Sequence, residues 1–259
     1  MRRHNGSLTV LVLLAAGCAG AGRRAGAPAP RREVAEAAAS EVAARMAPAA
    51  SAVHWTRDAA EHDALLVQTY RWAGERLRAR SAGHLSGMWG VILDADETVI
   101  DNSTYQKERL GETPSYTAES WAEWVRRKEA TAVPGAASFI GLVRQLGGRV
   151  VIVSNRDEVL CAETQANLSA LGLVVDVVLC RAPGGSDKNP RFERVAAGTA
   201  APGLPPLDVL MWIGDNILDF PGLTQDIRSG GESSYADFGT RFVLLPNPMY
   251  GSWEANPWR

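Results

Sequence analysis

Five short runs of aliphatic residues recur along the chain, and each ends abruptly in polar sequence: Val91-Ile92-Leu93, RVVIV at 149–153, VVDVVLC at 174–180, DVLMWI at 208–213 and RFVLL at 241–245. Apolar runs of this length without alternation read as strands covered on both faces, the habit of parallel sheets. Between them the spacing turns helical. Leu66, Tyr70, Ala73 and Leu77 form a stripe that predicts a helix from Thr56 to about Arg80. TAESWAEWVRRKEA, at 117–130, brings Trp121, Trp124 and Val125 to one helical face. Helical sequence restarts after Val133-Pro134-Gly135, runs through Leu146 and stops at Gly147-Gly148. Another helix is expected to end near Leu171. Strands alternating with helices imply an α/β fold: a doubly wound, Rossmann-like parallel sheet of five strands, with right-handed crossovers and a small helical cap. The core sheet is expected from residue 88, and the cap from 56–80 and 103–133.

The polar residues that end these strands change the picture. In an open parallel sheet, ligands bind beyond the carboxyl ends of the strands. Asp94 and Asp96 follow the first run, Ser154 the second, and Asp215 the fourth with Asp219 four residues on. Positions two apart in extended chain point to one side, so Asp94 and Asp96 can face a single site. Carboxylates at the end of an apolar strand are costly to desolvate unless a cation or hydrogen bonds compensate. A calcium loop does not fit VILDADETVIDN, because Val99 stands where that pattern wants Gly and Tyr105 where it wants Glu.

Phosphoryl transfer does fit. Asp94 can act as nucleophile, and Asp96 can protonate the leaving oxygen and later deprotonate water. Asp215 supplies a third carboxylate for a hard cation such as Mg²⁺, with Asp219 close by. Ser154 and the amides after it offer donors to phosphate oxygens, and GGSDKNPRFERV offers Lys188 as a loop cation.

Composition narrows partners and compartment. A formal net charge of −2 leaves no basic footprint for a nucleic-acid polymer, and no GxxxxGK[ST] loop occurs. The eight Trp are the one compositional excess. Arg2, Arg3 and His4 precede an apolar run from Leu8 to Ala16, too short to span a bilayer, so residues 1–18 read as an export signal. LLAAGC resembles a bacterial lipoprotein signal with Cys18 as the lipidated residue, although Ala15 stands where Leu is preferred. Cleavage after Ala19-Gly20-Ala21 is the alternative, and either route predicts an exported protein, in the outer membrane by a lipid anchor or free in the periplasm. Residues 19–50 are expected to form a flexible tether, and 51–259 the folded domain. Cys161 and Cys180 are expected as two half-buried free thiols, in a compartment that would permit a disulfide.

DADET, SNRD, Lys188 and GDNILDF resemble the four motifs of the haloacid dehalogenase phosphatases. Within that superfamily, WVRRKEATAVPGA, SNRD, GDNILDF and LPNPMYGSWE resemble the class C acid phosphatases, also called 5′-nucleotidase, lipoprotein e, from about His54 onward. The resemblance implies a magnesium-dependent phosphomonoesterase working through an aspartyl-phosphate, on nucleoside monophosphates, nicotinamide mononucleotide or aryl phosphates. It implies metal ligation by the Asp94 carboxylate, the Asp96 backbone carbonyl and Asp215, with Asp219 in the same signature. Ser154 and Lys188 would hold phosphate. Asn155, Trp121 and Tyr250 would bind substrate, the two aromatics by stacking on a base; core packing is the competing use of both rings. A homodimer is compatible with the family. A nucleoside phosphotransferase on the same fold, and a non-catalytic surface-anchored binding lipoprotein, are the alternatives.

Overall fold

The computed structural model describes residues 48–258; the signal sequence, Cys18 and most of the expected tether lie outside the described residues. Residues 48–58 are helical (α1), so the last three residues assigned to the tether belong to a helix. The helix expected from Thr56 is broken at Ala59, whose extended backbone separates α1 from α2 (Ala60–Arg80). The remaining order is β1 (Trp89–Leu93), β2 (Ile100–Asp101), α3 (Ser103–Glu108), α4 (Ala118–Arg127), β3 (Thr131–Ala132), α5 (Ala136–Gln145), β4 (Arg149–Asp157), α6 (Cys161–Ala170), β5 (Val177–Arg181), α7 (Asn189–Ala196), β6 (Asp208–Gly214) and β7 (Phe242–Leu244).

The sheet has the order β5-β4-β1-β6-β7 with every neighbouring pair parallel. Its central strand is β1, flanked by β4 and β6, so the residues following these three strands are brought side by side. Alternation along each strand sends side chains to opposite faces. Val91, Leu93, Val150, Ile152, Met211 and Ile213 join one core with residues of α2, α4, α5 and α6. Ile92, Val151 and Val153 join a second core with Phe192 and Val195 of α7 and with Leu204 and Leu207. Burial on both faces explains why the strands read as unbroken apolar runs.

Sequence reading grouped 56–80 with the cap, but α2 packs along α5 and against β6, in the layer that covers the sheet. Tyr70 on α2 nonetheless reaches the loop after β1, donating to the Thr98 carbonyl at 2.6 Å. Gly135 has φ +92°, and a Cβ there would stand 3.0 Å from the Tyr70 ring, so the turn into α5 admits no larger residue without strain. Above the carboxyl ends lies a compact insertion in which β2 and β3 form an antiparallel ribbon and α3 and α4 stand between them in sequence.

The cysteine expectation is corrected. Cys161 and Cys180 form a disulfide with their Cα atoms 5.8 Å apart. α6 begins at the carboxyl end of β4 and β5 ends at the same edge, so the crossover returns the second cysteine to the first. Among the described residues no helix is long and apolar enough to cross a membrane.

Candidate active site

β1 continues one residue beyond its last core side chain: the Asp94 amide donates to the Ile213 carbonyl of β6 at 2.9 Å. The chain then reverses tightly. The amides of Val99 and Ile100 both donate to the Ala95 carbonyl, at 2.8 and 2.9 Å, and Glu97 takes a left-handed backbone with φ 53°. β6 ends at Gly214, where a Cβ would lie 2.3 Å from Asp219, so glycine lets the Asp219 carboxylate close over the strand end. A short 3₁₀ turn at Ile217–Asp219 completes that approach, and the Asn216 amide donates to Asp219 Oδ2 at 2.9 Å.

Three of the four expected aspartates converge. Asp94, Asp215 and Asp219 each offer a carboxylate oxygen, and these oxygens lie within 4.8 Å of one another. Lys188 sits among them with Nζ 2.5 Å from Asp94 Oδ1 and 2.6 Å from Asp219 Oδ1. It is 4% exposed and immediately precedes α7, not a solvated loop. Thr98 Oγ1 donates to Asp215 Oδ1 at 3.2 Å, and Asn247 Nδ2 to Asp215 Oδ2 at 2.8 Å.

Electrostatics follow from crowding acids in a buried place. Burial pushes the Asp94 carboxyl up from 3.8 to about 7; Lys188 opposes this, and Asp219 and Asp96 add to it. Asp215 is raised well above the carboxylate range by burial, then by Asp219 and Asp94. Burial works against the Lys188 ammonium, but Asp219 and Asp94 outweigh it and leave the pKa raised. Three hard oxygen donors crowded around one site fit a divalent ion, which would relieve the repulsion among them.

The fourth aspartate is arranged differently. The Asp96 carboxylate accepts from Arg156 Nε at 2.9 and 3.2 Å and from Asn102 Nδ2 at 2.8 Å, apart from the three clustered carboxylates. Arg156 follows Ser154 and Asn155 at the end of β4 and is 2% exposed. Ser154 is fully buried; its Oγ accepts from the Arg156 amide at 3.1 Å and its carbonyl from Arg191 Nη1 at 2.5 Å. Asn155 lines the crevice and is pinned between Ser186 and Arg191.

The crevice has a volume of about 490 Å³. Its floor is Asp94, Lys188, Asp215 and Asp219, and its walls include Tyr116, Trp121, Met249 and Tyr250. Trp121 meets Tyr105 edge-to-face with centroids 5.1 Å apart. The Tyr250 hydroxyl donates to Glu97 Oε2, so this residue has a polar tie as well as a face on the crevice. Glu97 also accepts from the Asn102 amide at 2.9 Å, and burial, then Asp96 and Asp215, raise its pKa.

Sequence reasoning gave no role to Arg156, Asn102, Glu97 or Asn247. For Arg156 a signal existed: an arginine in the polar end of an otherwise apolar buried strand needs a carboxylate partner. The others have no signal short of the folded loop.

Residues 27–253 match the family described as HAD superfamily, subfamily IIIB (acid phosphatase). The structure is similar to that of the class C acid phosphatase from Bacillus anthracis, at 30% identity and a TM-score of 0.70, covering 80% of this chain and 86% of that one. A second structure of the class C acid phosphatase from that organism, with tungstate bound, matches at 29% identity and a TM-score of 0.69 over the same shares.

Proposed function

Because the chain belongs to HAD subfamily IIIB and is an acid phosphatase, a phosphoric monoester hydrolase, we propose that it cleaves small phosphate monoesters by way of an aspartyl-phosphate on Asp94 with Mg²⁺ as cofactor. One observation carries the reading: Asp94, Asp215 and Asp219 face one another around Lys188 on the floor of a crevice large enough for a nucleotide-sized ester. The tungstate in the Bacillus anthracis relative is a tetrahedral oxyanion of the same class as phosphate.

Asp94 attacks phosphorus through a carboxylate oxygen, and the bond to the ester oxygen breaks as the new P–O bond forms. Asp96 gives its proton to the departing oxygen, so an alcohol leaves. It then takes a proton from water as that water attacks phosphorus, releasing inorganic phosphate and restoring the Asp94 carboxylate. Lys188 holds the phosphate oxygens and favours the ionised form of Asp94, with Ser154 contributing from the end of β4. A divalent ion held by the Asp94 carboxylate, the Asp96 carbonyl and Asp215, with Asp219 beside them, would neutralise charge on the transferring group.

Nucleoside monophosphates or nicotinamide mononucleotide are the proposed substrates, with Trp121 and Tyr250 flanking the base and Asn155 at the rim. Export, with Cys18 lipidated or the leader cleaved, is proposed from the basic n-region and apolar run, and the Cys161–Cys180 disulfide supports an oxidising compartment. The test is a panel of nucleotide, aryl and alkyl phosphates assayed with the purified chain, before and after chelation and with Mg²⁺ restored. Release of phosphate that survives complete chelation would overturn the metal assignment. Failure to release phosphate from any ester would overturn the mechanism.

A further inference from the structure

We propose that Arg156 is the positioning residue for Asp96, and thereby sets how well the enzyme handles substrates with poor leaving groups. The inference rests on the phosphatase reading of the site and goes beyond it in assigning a residue that acts through the proton donor.

The guanidinium of Arg156 is buried, and its donors reach three side chains. Nε meets both oxygens of Asp96, Nη2 donates to Asn102 Oδ1 at 3.0 Å, and Nη1 donates to Thr164 Oγ1 at 3.3 Å. Nη2 also stands 2.8 Å from Asp96 Oδ1, so the fork grips the carboxylate from two nitrogens. Asn102 is fixed in turn. It is fully buried, its Oδ1 accepts from Trp124 Nε1 at 2.8 Å, and its Nδ2 reaches Glu97 at 3.2 Å as well as Asp96. Asp96 is therefore held in one plane by a rigid fork and a locked amide.

Stability alone does not account for this. Burying a guanidinium is costly, and an apolar side chain of similar volume commonly stabilises as well or better. Arg156 also lines the crevice, with its charge 5.4 Å from the centroid of the Trp121 ring. It thus touches the proton donor on one side and the proposed base platform on the other. A fork of fixed geometry orients a carboxylate in a way that a point charge does not.

A leaving oxygen of low basicity departs with little help, whereas an alkoxide needs its proton in the transition state. Loosening Asp96 therefore penalises alkyl phosphates more than p-nitrophenyl phosphate. Arg156→Lys should lower kcat about tenfold on p-nitrophenyl phosphate and at least about a hundredfold on an alkyl phosphate, within the range a general acid supplies. In an Asp96→Asn background the same change should leave the ratio between the two substrates as it is. Thr164→Val, nearly isosteric, releases one end of the fork and should shift the ratio in the same direction by a smaller factor; it decides the matter if Arg156→Lys does not fold. Equal fractional losses on both substrates, an unchanged ratio in Thr164→Val, or a further ratio change without Asp96 would each overturn the assignment. A wild-type chain inert on every ester would instead overturn the phosphatase mechanism beneath it.

Discussion

The Nζ of Lys188 lies 2.5 Å from Oδ1 of Asp94, although 94 residues separate them in sequence. The contact is buried, and the same nitrogen serves Asp219. In the proposed mechanism this nitrogen favours the ionised form of Asp94 against burial and follows negative charge onto the phosphate. Asp94→Asn should therefore abolish turnover while far-UV circular dichroism stays that of the parent. Its melting temperature in chelator should equal or exceed the parent's, because one member of a crowded acid cluster is gone. Lys188→Met should cost at least about a hundredfold in turnover, the scale of losing a preorganised electrostatic contact. Substantial hydrolysis by the purified Asp94→Asn chain would remove the nucleophile from the scheme.

Metal and pH are linked through the same carboxylates. Burial raises Asp94 from 3.8 to about 7 in the metal-free protein. A carboxyl whose pKa is higher folded than unfolded binds more protons in the folded state. Its contribution to stability is complete below about pH 4 and is lost as pH climbs through about 7. Asp215 shifts in the same direction. A divalent ion takes the place of those protons. The gap in melting temperature between magnesium-loaded and chelated protein should accordingly widen from about pH 4 to about pH 7. A gap that does not change with pH would mean that the ion binds elsewhere.

Much of this arrangement was legible in the sequence because hydrophobic runs mark buried strands and acids at their ends mark a rim. Asp94 after β1 and Asp215 after β6 follow from that rule, and the sheet order then makes them neighbours. Lys188 was legible as a cation but not as the residue that opens α7, whose eight residues are too few to show a period. The β2–β3 ribbon escaped for the same reason, with two residues in each strand. Arg156, Asn102 and Glu97 acquire their partners only once the loop after β1 has reversed, and local pattern carries no trace of such contacts. The disulfide depended on a crossover returning to its starting edge, which spacing alone does not reveal.

Base stacking and core packing compete as uses of Trp121 and Tyr250, and Tyr250 has a polar contact besides its ring. Its ring lines the crevice while its hydroxyl holds Glu97. Tyr250→Phe keeps the ring and removes one donor from the buried Glu97 carboxyl, leaving those from Asn102, so turnover should fall by a similar factor on nucleotides and on a small alkyl phosphate. Trp121→Ala should instead cost about tenfold more in kcat/KM on nucleotides, the scale of one aromatic contact. Equal losses in Trp121→Ala would return that residue to core packing against Tyr105.

The disulfide ties the start of α6 to β5, beside the strand end that carries Ser154, Asn155 and Arg156. A link across 19 residues of sequence stabilises chiefly by constraining the unfolded chain, by about 3 kcal/mol. For a domain of this size that corresponds to a fall of about 6–12 °C in melting temperature when the link is lost. Replacing both Cys161 and Cys180 by Ser should produce that fall, and so should a strong reductant acting on the parent. Turnover well below the melting transition should stay within about twofold, because neither sulfur lines the crevice and the Arg156 fork is anchored by Asp96, Asn102 and Thr164. A thiol-reactive chromophore should find no free cysteine at these two positions in the oxidised, denatured chain. Two reactive thiols there, with a melting temperature indifferent to reductant, would show that the bridge is not formed in solution.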